Sequence, residues 1–118
     1  MCMTDAPIHT VVETIAFTAL VKKLGLSNDE LAAIYDTYAK APDYGAIVRN
    51  TAGLRKGRIA KEATGKSGGY RVFSFFADRE NPVFLLWLLD KTSDDTLTKE
   101  QENAFKTLTM ELKKELRK

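Results

Sequence analysis

The run Val83-Phe-Leu-Leu-Trp-Leu-Leu89 is apolar at every position. Successive residues of a strand face opposite ways, so a strand of this kind has to be covered on both sides. The run cannot cross a bilayer, which takes about 20 residues in a helix. The run is therefore a central or covered strand, and the chain's 118 residues suffice for one domain, residues 1–118. A hydrophobic share of 44% with a net charge of +2 is that of a folding chain, and it excludes disorder as the main state. Cys2 and His9 are the only residues of their types. That leaves no internal disulfide, no zinc site and, unless His9 lies in the site, no Cys–His or Ser–His nucleophile. No metal or cofactor is expected. With no basic-then-apolar leader before a small-residue cleavage site, a cytoplasmic protein is expected, with no membrane contact.

The elements around that run follow from local signals. Ile8 to Thr14 is rich in β-branched residues and reads as a short strand. Phe17, Leu20, Val21 and Leu24 recur at helical spacing, and Gly25 supplies a stop. Ser27 and Glu30 form a capping box, with Leu26 and Leu31 placed as a hydrophobic staple. The helix they open runs to Lys40 before Pro42, with Leu31, Ile34, Tyr35 and Tyr38 inward. Leu54 to Ala60 alternates, placing Leu54, Lys56, Arg58 and Ala60 on one face and Arg55, Gly57 and Ile59 on the other. Tyr70 to Ala77 is a second strand and Val83 to Leu89 a third, with Trp87 packing on the last helix. Thr98 and Gln101 form another capping box, opening a helix whose stripe is Phe105, Leu108, Leu112 and Leu116. The order β-α-α-β-β-β-α predicts an α+β fold, with a small antiparallel sheet packed against helices.

Charge is concentrated between Arg55 and Arg71. Six cations, Arg55, Lys56, Arg58, Lys61, Lys66 and Arg71, stand there against Glu62 alone. A dense basic segment, part of it held on alternating strand residues, is the footprint of a polyanion contact. Gly65-Lys66-Ser67 is not a P-loop, because Ala60 stands where the first glycine is required and a strand follows instead of a helix. Consecutive glycines at 68 and 69 do let backbone amides approach an anion.

Read together, Gly53-Leu-Arg-Lys-Gly-Arg-Ile-Ala60, Gly65-Lys-Ser-Gly-Gly-Tyr-Arg-Val-Phe73, Phe84-Leu-Leu86 with Lys91, and Asp95-Thr-Leu-Thr98 resemble the RelE superfamily of type II toxins, the HigB-like branch most of all. The resemblance covers about residues 43–98. It implies a RelE-like fold and a ribosome-dependent endoribonuclease, an mRNA interferase that inhibits translation. In that chemistry a ribose 2′-hydroxyl attacks the adjacent phosphate, and the site is built from Lys, Arg and Tyr. Carried over by position, Arg58, Arg71 and Lys91 are the expected catalytic residues. Arg55, Lys56, Lys61, Lys66 and Tyr70 are expected to bind RNA and the ribosome, with Tyr70 offering a ring for stacking. The implied partners are a cognate antitoxin, the ribosome with its mRNA, and operator DNA through the antitoxin complex.

The chain departs from the layout at two positions. Ser74 stands at one tyrosine of the second strand, and Leu89 stands at the tyrosine of the third, followed by Asp90. Two further readings therefore accompany the nuclease: a toxin-fold protein that binds antitoxin or operator DNA without cutting, and a ParE-like gyrase poison of the same fold.

Overall fold

The computed structural model describes residues 9–60, 69–90 and 97–116. The elements run β1 (Val11–Glu13), α1 (Ile15–Leu24), α2 (Asn28–Lys40), β2 (Ala46–Ile47), β3 (Leu54–Ile59), β4 (Tyr70–Phe75), β5 (Val83–Asp90) and α3 (Lys99–Leu116). One five-stranded sheet has the order β1-β5-β4-β3-β2. The expected α+β architecture holds, and so does the antiparallel β3-β4-β5 meander. Two features go beyond the expectation. Ala46–Ile47 adds a short edge strand antiparallel to β3, and β1 runs parallel to β5, with Val11 opposite Val83, so the sheet is mixed. Local pattern marks a strand but says nothing of its direction, and the long connection between β1 and β5 leaves room for the parallel pairing seen here.

Two apolar clusters cover the sheet. On one face Phe17, Ile34 and Tyr38 from α1 and α2 pack on Ile59, Tyr70, Val72, Val83, Leu85 and Leu88. On the other, Phe105, Leu112 and Leu116 of α3 pack on Leu54, Phe73, Phe75 and Leu86. Phe105 stacks on Phe73 with centroids 5.6 Å apart and meets Trp87 edge-on. Trp87 thus packs on the last helix, as its place in the run suggested. Strict alternation, however, would put Leu86 and Trp87 on opposite faces. A bulge prevents this: Phe73 pairs with Trp87 while Ser74 pairs with Leu85, leaving Leu86 as the extra residue. Both side chains then reach the α3 face. Leu108 departs from the expected stripe and is 39% exposed, whereas Thr109 is buried, its hydroxyl donating to the Thr51 carbonyl.

The helix starts follow their capping signals. Ser27 Oγ accepts from Glu30 N–H, and Glu30 Oε1 accepts from Ser27 N–H, both at 3.0 Å. Thr98 and Gln101 reciprocate in the same way at the start of α3. Thr14, expected at the end of the first strand, instead caps α1. Its hydroxyl accepts from Phe17 N–H and donates to the Leu85 carbonyl at 2.9 Å, so the helix begins two residues early. His9 sits where β1 begins, its Nε2 2.6 Å from the Asn81 carbonyl and its ring edge-on to Phe76.

Two tyrosine–carboxylate contacts tie the helices to the sheet. Tyr35 Oη donates to Glu13, and Tyr70 Oη donates to Glu30 Oε1 at 3.3 Å. Burial, reinforced by the adjacent carboxylate, pushes both phenols up to about 12.

The caps and the phenols should both be visible in stability measurements. Ser27→Ala removes the cap and should lower unfolding free energy by about 1 kcal/mol in urea titrations. A phenol whose pKa is higher folded than unfolded contributes stability that is complete below the unfolded value, near 10, and is lost as pH rises through the folded value. The urea midpoint should therefore fall between about pH 10 and 12, and less steeply in a Tyr35→Phe/Tyr70→Phe double variant.

Candidate functional site

Strands β3 and β4 each change character along one face. Going along β3, the α3 face carries Leu54, then Lys56, then Arg58; going back along β4 it carries Phe75, Phe73 and Arg71. The antiparallel register matches these sequences end to end, pairing Leu54 with Phe75, Lys56 with Phe73 and Arg58 with Arg71. The apolar ends meet under α3 and the basic ends meet beyond it. Arg58 is exposed, and Lys56 and Arg71 are half-buried. In β5 the residue paired with Arg71 is Leu89, and the one paired with Phe73 is Trp87.

Three of the expected residues, Lys56, Arg58 and Arg71, are therefore brought together. Two are not. Arg55 lies one residue out of phase with the row, and its Nη1 donates to the Gly45 carbonyl at 3.0 Å, a tie between β3 and the segment before β2. Tyr70 is 4% exposed and faces α2, with its hydroxyl on Glu30. Its ring is not available for stacking on a base, which corrects the expectation. Period-two alternation already carried this signal: Tyr70 and Arg71 are adjacent, so both cannot present to one ligand from one strand face. Lys61, Lys66 and the glycines at 65 and 68 lie outside the described residues, as does Lys91, which follows the last residue of β5.

The two departures from the family layout fall on different sides of the sheet. Ser74 is fully buried on the helix-hairpin face, opposite Arg55, so a hydroxyl there is not part of the basic row. Leu89 pairs directly with Arg71, so the side chain at that position borders the row. It also lines an apolar groove of about 550 Å³ between α1 and α3, with Ile15, Trp87, Phe105 and Leu108 among its walls. Ile15 is 90% exposed at the rim of that groove.

Chemically, the row offers planar guanidinium forks that match phosphate oxygens two at a time, beside a lysine acting as a point charge. A guanidinium does not deprotonate in proteins, so such a row can stabilise negative charge but cannot supply a base. His9 does not contribute here. It contacts Phe76, past the far end of β4 from Arg71. Among the described residues no group of His, Cys, Asp and Glu could hold a metal ion, and no helix is long and apolar enough to cross a membrane.

A missed element lies behind the row. Tyr44 Oη donates to the Arg58 carbonyl at 2.8 Å, and the Tyr44 ring packs over Gly57. The available signal was a glycine inside a strand, which often marks close approach of another group.

Comparison with known protein families bears on the whole arrangement. Residues 10–118 match the family model described as the RelE toxin of the RelE/RelB toxin–antitoxin system. That span contains β1 through α3 and every residue of the basic row, and the chain belongs to the RelE toxin family.

Proposed function

We propose that this toxin is a ribosome-dependent endoribonuclease of the HigB-like kind, cutting mRNA by attack of a ribose 2′-oxygen on the neighbouring phosphorus. The carrying observation is the register that sets Arg58 directly opposite Arg71 with Lys56 alongside, on a sheet face that α3 leaves behind. In the reaction a base takes the 2′-proton, the P–O5′ bond breaks as the 2′-O–P bond forms, and the departing 5′-oxygen receives a proton. Negative charge gathers on the non-bridging oxygens of the phosphorane. Fixed cations that meet this charge most strongly in the transition state raise the rate more than the binding. Arg58 and Arg71 fill that role, and Lys91 is the third catalytic position that the family layout matches. Lys56, Lys61 and Lys66 serve RNA and ribosome binding. Arg55, tied to Gly45, contributes to the frame of the site.

As a member of a toxin–antitoxin family, the protein has an antitoxin for its partner. We place that antitoxin's inhibitory segment across the basic face of the sheet, where it would cover Lys56, Arg58 and Arg71; the α3 stripe, the other surface the sequence offers, is packed on the sheet through Phe105, Leu112 and Leu116. Complementary charge there speeds association more than it tightens the complex. Operator DNA would be reached through the antitoxin complex.

The site assignment predicts that Arg71→Ala lowers mRNA cleavage on purified ribosomes by about 100-fold or more, with thermal melts close to the parent's. Arg71→Lys should recover only part of the rate, since lysine lacks the two-pronged grip. An Arg71→Ala variant that cuts as fast as the parent would place the chemistry elsewhere. A parent that never cuts would favour the binding-only reading, with Leu89 beside Arg71 as the structural reason.

Binding should show the same division of labour. Removing one phosphate-binding cation reduces the slope of log affinity against log salt by about 0.7 for single-stranded nucleic acid. A Lys56→Ala/Arg58→Ala variant should therefore bind RNA with a visibly shallower salt dependence. Arg55→Ala should lower stability and leave the slope near the parent's.

A further inference from the structure

We propose that Tyr44 is a positioning residue of this nuclease, holding the Lys56–Arg58 stretch of β3 from behind while the cations work in front. The inference rests on the reading of the Lys56, Arg58 and Arg71 face as the cleavage site.

The geometry converges on four consecutive residues. β2 pairs with β3 only at Arg55 and Lys56, so the outer edge of β3 has no strand partner beyond that point. Tyr44 Oη donates to the carbonyl of Arg58, taking over where the β2 ladder stops. Its ring lies against Gly57 so closely that a Cβ there would sit 2.6 Å from Tyr44 Cε2 and 3.0 Å from Tyr38 Oη. Gly45, at φ +99°, lets the backbone come against Lys56, where a Cβ would be 2.7 Å from the carbonyl oxygen. The carbonyl of Gly45 in turn accepts from Arg55. The support is itself anchored, because Tyr38 is fully buried and meets Tyr44 edge-on at 5.6 Å.

The two consequences of alternation explain why a tyrosine is needed here. Lys56 and Arg58 point to the α3 face, so Gly57 between them points to the helix-hairpin face. A glycine in mid-strand weakens the strand, and this one lies between the two cations whose placement matters most. The ring of Tyr44 fills the space that Gly57 leaves, and its hydroxyl fixes the next peptide. Glycine and tyrosine act as one unit: the absent side chain admits the ring, and the ring restores the order that the glycine removes.

The test is single-turnover and steady-state cleavage of ribosome-bound mRNA at 25 °C by the parent, Tyr44→Phe and Tyr44→Ala, with thermal melts and amide hydrogen exchange on the same proteins. Tyr44→Phe keeps the ring and removes one hydrogen bond. It should lower kcat by about 10-fold with KM for ribosomes unchanged, since small misplacement of a reacting group is costly in rate. Its melting temperature should fall by about 4–8 °C, leaving it folded at the assay temperature. Amide exchange should quicken at Gly57, Ile59 and Val72, whose N–H groups join β3 to β4, and stay at parent level in β5 and α1. Tyr44→Ala should lose about 100-fold in kcat. A Tyr44→Phe protein with the kcat of the parent, whatever its melting temperature, would reduce Tyr44 to a structural role and overturn the proposal. Parent-level exchange at Ile59, whose N–H crosses to β4 from the peptide that Tyr44 holds, would overturn it independently of any activity. A parent without cleavage would overturn the nuclease reading, and with it the role assigned to Tyr44.

Discussion

The site depends on the register between β3 and β4. Pairing Leu54 with Phe75 and Ile59 with Tyr70 buries apolar residues on both faces. Each fully buried side chain of this size is worth about 1.5–3 kcal/mol. The same register forces Arg58 opposite Arg71, and like charges directly opposite cost about 0.2–1 kcal/mol. Burial therefore decides the alignment, and the cation pair is carried along with it. A slip by one residue would send Arg71 to the helix-hairpin face, because side-chain direction alternates strictly. The cations thus stand together through the folding of the apolar residues around them, and a bound polyanion would meet both at once.

The two faces of the sheet divide the remaining work. The face under α1 and α2 is closed: Tyr38, Tyr70 and Ser74 are all buried there, and Tyr70 ties the start of β4 to Glu30, the capping residue of α2. The face under α3 is covered where Phe105 stacks on Phe73, and its character changes to basic at Lys56, Arg58 and Arg71. A rigid rear and a charged front suit a reaction in which the protein mainly supplies fixed charge. Tyr44 joins the two halves, since it packs at the rear and bonds to the backbone of Arg58, whose side chain stands at the front.

The sequence was most legible where the signal is local. Both capping boxes, the αL stop at Gly25 and the spans of α2, β3 and β5 could be read from neighbouring residues alone. The parallel pairing of β1 with β5 and the bulge at Leu86 could not, because each is decided by a partner on a strand distant in sequence. Part of the site was also legible. The grouping of Lys56 with Arg58 followed from alternation, whereas their meeting with Arg71 required the register. The assignment of Tyr70 beside Arg71 went against alternation, and the buried position of Tyr70 shows the cost of reading a motif by its residues without their facing. Ser74 and Leu89 looked alike as departures from the family layout, and only the fold separates the buried one from the one that borders the cations.

The activity proposed for this sheet face is cleavage of RNA at phosphates presented by the ribosome. Sequencing the 5′ ends of cellular mRNA after brief induction, together with the chemistry of the matching 3′ ends, tests it most directly. New ends are expected within translated regions, spaced with codon periodicity, each upstream fragment carrying a 2′,3′-cyclic phosphate, and none when translation is blocked before induction. Growth arrest with DNA damage and intact mRNA would contradict it and assign the fold to a gyrase poison.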